Sequence, residues 1–363
     1  MEKQANKMTE QEVQASSIGN TFPPTIASNL YDRGNNRLKG FYTISIEEEE
    51  HLLRVFSEIL EVKEGIKILG EGEVSRITAR FLVNKRVNLP EELREDVEAQ
   101  ISLDGEFAEY NLVYLGRNFD GRVAREDVIA RQRTRAHEID QRTPFSGTNS
   151  LDLIKREDVI VRTVKPSPDK DIFEAFTREV LDLYQSSFFG DYAFPMTLES
   201  VASLLRRDTN IVKIIQDRKT CRLLSIGVGE TISLPLQING SQSAFNMAEI
   251  SDAATPKEYR GRGYYSTIAG ELTRELLKAG VDLVYGEARA ASPPVMTVCK
   301  KTGRRVARDY YGMPALLHKH CIISGAKDET LDDSDKNGRY KGLENLAVWY
   351  ATRNQLMELY VPK

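Results

Sequence analysis

The sequence predicts a protein of mixed α/β class: a mixed sheet with helices on both faces, preceded by a smaller α+β unit. Three observations predict this. Residues 158–350 read strand, helix, helix, three strands, helix, strand, helix, strand, strand, an order suited to a mixed sheet. Residues 38–118 carry short strands and an amphipathic helix of their own. The chain has 363 residues, more than one ordinary domain of roughly 100–200 residues.

Residues 1–35 are polar and interrupted by Pro23, Pro24 and Gly34, and read as a mobile leader. Residues 38–46 suit a strand. Residues 47–62 place Leu52, Leu53, Phe56, Ile59 and Leu60 on a helical stripe, and Gly65 follows as a stop. Strands are expected at 66–69 and 77–83, a helix at 90–101 entered through Pro90, and a strand at 111–115, which makes 36–118 an N-terminal domain. Residues 119–157 mix Arg122, Arg125, Arg131, Arg133 and Arg135 with Asp120, Glu126, Asp127, Glu138 and Asp140. Such bases suit an RNA- or phosphate-binding arm. The acids nearly cancel them, so a solvated helix and charged linker is the expectation, with a hinge at Pro144, Ser146, Gly147, Asn149 and Ser150.

The second domain is 158–363. Residues 159–164 form a strand, and 172–184 align Ile172, Phe173, Phe176, Val180, Leu181 and Tyr184 on one helical face. A helix at 197–205 starts from Thr197 as N-cap. Strands at 211–215 and 223–228 form a hairpin, and 245–254 is a further strand. Then come a long helix at 263–278, a strand at 281–285, a short helix at 295–301, and closing strands at 316–323 and 346–350. No internal repeat is visible.

Composition excludes several classes. The net charge of −4 argues against a global grip on nucleic acid or anionic lipid. Cys221, Cys299 and Cys321 are too few and scattered for a disulfide framework or a metal cluster. No apolar run approaches the ~18–20 residues of a membrane span, and the N-terminus is unlike a signal peptide. A cytoplasmic chain without a membrane or nucleic-acid partner is therefore expected.

The chemistry concentrates in residues 248–280, where a strand ends, Arg260-Gly261-Arg262-Gly263 follows, and a helix begins. Glycines there expose backbone N–H groups, and a helix N-terminus adds unsatisfied donors and a positive dipole end. Such a turn binds a phosphate or pyrophosphate, and the arginines add charge-assisted contacts. A tight turn without any ligand needs the same glycines. No Gly-Lys-Ser/Thr follows, so it is not a Walker loop, and the third glycine of the dinucleotide fingerprint is absent.

This arrangement resembles the acetyl-CoA signature of the GNAT superfamily of N-acetyltransferases, Arg/Gln-x-x-Gly-x-Gly/Ala. Arg260 and Gly263 match its first and fourth positions, while Tyr265 stands where the last small residue would. The resemblance extends over 158–351. It implies a GNAT-like acetyltransferase domain using acetyl-CoA as co-substrate, with no metal. Backbone groups of Ala253 and Thr255 would face the pantetheine arm, and the turn from Arg260 through Gly261, Arg262, Gly263, Tyr264 and Tyr265 would take the pyrophosphate. Within the superfamily, the β-lysine N-acetyltransferases look most similar: Ala248-Glu249, Asp252, Ala254-Thr255 and Glu258-Tyr259-Arg260-Gly261 follow their pattern. So do Ala288-Arg289-Ala290 with Ser292, and Glu344-Asn345-Leu346-Ala347-Val348-Trp349-Tyr350. That family also carries an N-terminal domain. Glu287 and the Pro293-Pro294 pair depart from the pattern, and 326–342 looks like an insertion.

An acceptor ammonium of pKa about 10.4 must lose a proton before it attacks a thioester. Glu249 lies eleven residues before Arg260, the spacing of the glutamate base in some GNAT enzymes. Strand alternation sets it opposite Ile250 and Asp252. An ion pair with an arginine, or acceptor binding without titration, are the other readings of Glu249. Many GNAT members place a tyrosine acid four residues before the glycine of the following helix; here that glycine is Gly303 and the position is Cys299, so the acid stays unassigned. Asp252, Glu287, Arg289 and Glu344 are the acceptor-binding candidates, since a diamino acid needs carboxylates for its ammonium groups and an arginine for its carboxylate. Each also suits a salt bridge at a sheet end. His318 and His320 share a strand face with only Cys321 beside them, a poor metal set. The expectation is an N-acetyltransferase acting by direct transfer on a small amino-acid-like amine. The rivals are a protein or peptide amine acetyltransferase and a non-catalytic acyl-CoA-binding regulator.

Overall fold

The structure is a computed structural model and describes residues 29–32, 37–46, 49–57, 76–119, 126–147, 150–188, 196–238, 241–322 and 343–361. Of the leader expected at 1–35, residues 1–28 and 33–35 lie outside the described residues, but Asn29–Asp32 form a strand paired with 37–40, so that part is a correction. The strand expected at 66–69 also lies outside the described residues.

A first sheet joins β1 (Asn29–Asp32), β2 (Arg37–Ile46), β3 (Arg76–Asn84), β4 (Val97–Ser102) and β5 (Tyr110–Asn118) in the order β1-β2-β3-β5-β4. Helix α1, through 49–57, lays Leu52, Val55 and Phe56 against Ile77, Ala79, Phe81 and Val83 of β3. Strand alternation puts Arg76, Thr78, Arg80 and Leu82 on the other face of β3, and they are buried as well. The helix expected at 90–101 is a correction. Only α2 (Glu91–Arg94) is helical, and β4 follows, because Val97, Ala99 and Ile101 bury at a period of two. The stretch expected as a charged linker carries α3 (Glu126–Arg142) and α4 (Ser150–Arg156). Val128, Gln132, Ala136 and Asp140 of α3 are buried, so this helix is solvated on one side only.

The second sheet holds β6 (Val159–Thr163), β7 (Asn210–Asp217), β8 (Leu223–Ile238), β9 (Ser241–Ala254), β10 (Leu283–Arg289), β11 (Arg305–Val306), β12 (Leu316–Ile322) and β13 (Leu343–Thr352). Its order is β11-β13-β10-β9-β8-β7-β6, with β12 also on β13, and among the described pairs of this sheet only β9 and β10 run in parallel. The expected mixed sheet is therefore present. The hairpin strands β8 and β9 run well past the expected lengths.

Helices α5 (Lys170–Phe188) and α6 (Leu198–Arg206) cover Val212, Ile214, Ile226 and Val228 on one face. Thr197 caps α6, its hydroxyl accepting from the Ser200 N–H at 3.2 Å. Ile172, expected inside, is 60% exposed, because the buried stripe of α5 begins at Phe173. Helices α7 (Tyr264–Lys278), α8 (Pro293–Lys301) and α9 (Arg353–Tyr360) lie on the opposite face, α7 over Ile215, Ala248, Ile250 and Val284. The first sheet packs beside α5 and α6, with Leu82, Ile101, Leu112 and Tyr114 in one core with Phe245, Met247, Tyr285 and Val348. No helix among the described residues is long and apolar enough to cross a membrane.

Candidate active site

The glycine turn stands where the sequence places it. After β9 a short 3-10 turn (Lys257–Tyr259) leads into Arg260–Gly263 and α7. Gly261 has φ +79° with open space around its Cβ position, and Gly263 caps α7 at φ +86°. Both conformations disfavour a side chain. The first turn of α7 carries no acidic residue, and its N-cap Gly263 has no side chain to cap it, so the positive end of the helix dipole lies at the turn.

The side chains of the turn depart from expectation. Arg260 braces the chain instead of pointing away: Nε donates to the Thr255 carbonyl at 3.0 Å and Nη2 to the Ser187 carbonyl at 2.9 Å. Arg262 lies 3.6 Å from Glu157 and over the Tyr259 ring. Tyr264 is buried under α7, and burial pushes the Tyr265 hydroxyl up, beside Cys299 and Arg304. Both tyrosine rings are core. What Tyr264 and Tyr265 offer at the turn is their main chain.

Beside this turn the sheet opens. The parallel ladder pairs Leu283 with Met247, Val284 with Ala248 and Tyr285 with Glu249, and ends there, although both strands continue. β9 keeps its partner β8, with a bulge between the pairs Val228–Ser251 and Ile226–Ala254. Asp252 sits in the bulge at φ +45°. Its carbonyl accepts from the Tyr184 hydroxyl at 2.7 Å, which ties the bulge to α5. The bulge breaks the simple alternation expected between Glu249 and Asp252. Thr255 is fixed by its hydroxyl, 2.8 Å from that of Ser225, and Ala253 lies next to Gly227. A wedge between β9 and β10 is thus bounded by Glu249, Ile250 and the bulge on one side and by Gly286 and Glu287 on the other.

Glu249 is half-buried on the face that the first sheet covers as far as Met247 and that α5 and α6 cover from Ala254. Its Oε2 accepts from the Tyr285 hydroxyl at 3.1 Å. That hydroxyl accepts from Arg80 Nη1 at 2.7 Å, and Arg80 Nη2 reaches Glu287 Oε1 at 2.5 Å. The guanidinium lies between the Tyr114 and Tyr285 rings, 4.8 and 4.9 Å from their centroids. Burial opposes its charge, but Tyr285, Tyr114, Glu287 and Glu249 more than offset that and hold it protonated. Burial drives the Tyr285 phenol well above its usual range, so it stays a neutral donor to Glu249.

Arg80 is the residue that sequence reasoning missed. Its signal was Arg76-x-Thr78-x-Arg80 alternating with apolar residues in β3, a pattern that ordinarily marks a solvated face. Here all three are buried, Arg80 against Tyr285 and Glu287 of the second sheet. Glu287, expected as an acceptor ligand, is instead 6% exposed and spent on Arg80. Arg289 lies 5.8 Å from the Phe188 ring, across the wedge from Glu249. Glu344 lies in β13 with its backbone opposite Cys321, so it is not brought to Glu249 by strand pairing. Cys299 is 2% exposed with its thiol pushed up by burial, unfit as an acid.

A mixed sheet with one parallel junction, opened into a wedge next to a glycine-turned helix N-terminus, defines the site. Among solved structures the chain is similar to the ribosomal-protein-S18-alanine N-acetyltransferase from Escherichia coli: 12% identity over 53% of this chain and 93% of that one, TM-score 0.36. It is also similar to Arabidopsis thaliana NAA60 in complex with acetyl-CoA, at 16% identity over 54% and 99%, TM-score 0.36. A variant spermidine N-acetyltransferase from Vibrio cholerae matches at 10% identity over 55% and 97%, TM-score 0.37. No family model matches the chain. No curated protein matches it either.

Proposed function

We propose that this chain is an acetyl-CoA-dependent N-acetyltransferase acting on a small amino-acid-like amine, β-lysine or a similar diamino acid. The observation that carries the reading is the ladder ending at Tyr285–Glu249, directly ahead of the turn through Gly261 and Gly263. It parts the two strands between a turn suited to an anion and a carboxylate. The residues fit the co-substrate: the turn leaves room for a diphosphate over Gly261, and the wedge suits a thin pantetheine arm. Acetyl-CoA supplies an acetyl group on a good leaving group.

The chain's own residues do the rest. Glu249 takes the ammonium proton; Tyr285 holds Oε2 and thereby aims Oε1, which no side chain occupies among the described residues. Arg80, Glu249 and Glu287 carry one positive and two negative charges, and an acceptor ammonium balances them. The first sheet roofs this face, which favours a small amine over a peptide chain. Asp252 lies at the bulge end of the wedge for a second ammonium, and Arg289 on β10 is the cation for the acceptor carboxylate. Holding amine and thioester together supplies most of the rate.

The test is thiol release from acetyl-CoA by the purified chain, with diamino acids, polyamines and N-terminal peptides as acceptors. Turnover with a diamino acid is expected. Turnover with peptides alone would move the acceptor class, and binding of acetyl-CoA without any turnover would make the chain a regulator.

A further inference from the structure

Arg304 follows Gly303 at the end of α8, its N–H donating to the Cys299 carbonyl at 3.1 Å. It is 1% exposed, and among the described residues its Nε and Nη1 have no hydrogen-bond partner, while Nη2 donates to the Thr302 hydroxyl at 2.9 Å. No carboxylate pairs with it among the described residues. A buried guanidinium without a counter-ion is costly, which makes this a place where negative charge is wanted.

Its position says which charge. The Cβ position of Gly286 lies 3.0 Å from Arg304 Nη1 and 3.2 Å from the Ile250 carbonyl oxygen. Gly286 and Ile250 are each one residue beyond the last β9–β10 pair, so Nη1 is at the point where the wedge opens. Tyr285 and Glu249 face the first sheet, and alternation turns Gly286 toward the other face, under α7 and α8. The proton-accepting carboxylate and the unpartnered guanidinium therefore flank the wedge from opposite faces and do not neutralise each other. The candidate proton donors there, Cys299 and Tyr265, are both held in their neutral forms by burial, which makes them poor acids.

We infer that Arg304 receives the sulfur of coenzyme A as a thiolate, so that the leaving group departs without a proton donor; this rests on the acetyl-transfer reading above. The ammonium nitrogen gives up two protons through Glu249 to water, one before attack and one as the C–N bond forms. The C–S bond breaks with its electron pair on sulfur, and the anion is held by the charge of Arg304. Its proton comes from water after release. A guanidinium suits this role because it stays charged at any working pH and needs no reprotonation between turnovers. Gly286 is the companion requirement, since a Cβ would crowd Nη1.

The experiment is titration of bound coenzyme A, read by thiolate ultraviolet absorbance as a difference from the unliganded protein. Calorimetric affinities for coenzyme A and for desulfo-coenzyme A across pH accompany it. In wild type the bound thiol is expected to ionise at least one pH unit below free coenzyme A. Affinity for coenzyme A rises with pH in that window while that for desulfo-coenzyme A stays flat. Arg304→Met is expected to return the thiol to its free titration, and Arg304→Lys to keep part of the shift. Bound coenzyme A that titrates like the free compound in wild type overturns the inference about Arg304 and leaves the acetyl-transfer reading standing. A full shift retained in a folded Arg304→Met overturns it equally. Absence of any coenzyme A binding by wild type removes both. If Arg304→Met fails to fold, the wild-type titration and Arg304→Lys decide.

Discussion

Arg80 of β3 donates to the hydroxyl of Tyr285 of β10 at 2.7 Å, across 205 residues of chain. Through that hydroxyl the first sheet reaches Glu249, and through its other arm the same guanidinium holds Glu287. The N-terminal unit is thereby part of the proposed acceptor face. It supplies the charge that lets two carboxylates sit on one buried surface.

Arg80→Met leaves Glu287 without its cation in a nearly closed space. Stability is expected to fall by about 3–5 kcal/mol, the usual cost of breaking a buried ion pair from one side. Urea unfolding of Arg80→Met beside the double variant Arg80→Met/Glu287→Leu checks the cause. The double variant should recover much of the loss, and an equal loss in both would mean that ring packing, not charge, dominates.

Glu249→Gln keeps the acceptor for the Tyr285 hydroxyl and loses the basic site. With acceptor saturating, the rate is expected to fall by roughly 10²–10⁴, the scale of general acid–base catalysis. Higher pH should partly restore it, because more amine arrives neutral. A raised Michaelis constant with the saturated rate preserved would instead make Glu249 a binding residue.

Gly263→Glu puts a side chain at φ +86° and a negative charge where the proposed diphosphate lies. The backbone strain is of order 1–2 kcal/mol, tolerable for the fold. Acetyl-CoA binding is expected to vanish in calorimetry while the circular dichroism spectrum persists. Unchanged affinity would remove the glycine turn from the site.

Asp282 accepts from the Asn246 N–H at 2.8 Å, yet burial raises its carboxyl above the ordinary value, and Glu106 and Asp104 add to this against the help of Arg353. A raised carboxyl binds protons more readily folded than unfolded. Its ionisation therefore costs stability as pH climbs from the ordinary carboxylate range through the raised folded value. Asp282→Asn keeps an acceptor for Asn246 and should stabilise at pH 7 by less than about 1 kcal/mol after solvent screening, with no gain below pH 3. Thermal melts at both pH values read it.

Because Phe245, Met247, Tyr285 and Val348 share a core with Leu82, Ile101 and Tyr114, residues 150–363 alone expose a broad apolar sheet face. That fragment is expected to aggregate or to lack a cooperative unfolding transition. A monomeric, cooperatively folded fragment would contradict the shared core.

Local signals were legible where one element decides the outcome. Thr197 as a cap, the long helix at 263–278 and the strand–glycine–helix passage at 254–264 need only neighbours in sequence, and each stands as read. Period-two burial at Val97, Ala99 and Ile101 was also present in the sequence, hidden by the helix-like entry at Pro90. Other outcomes had no local signal. Whether Arg76, Thr78 and Arg80 face water or a second sheet depends on what covers them. Where the β9–β10 ladder stops, and that Asp252 sits in a bulge, depend on strands far apart in the chain. So does the meeting of Arg80 with Glu287. Periodicity along a chain states which residues share a face; only tertiary packing decides what that face meets, and so whether a charge there is solvated, paired or left open for a ligand.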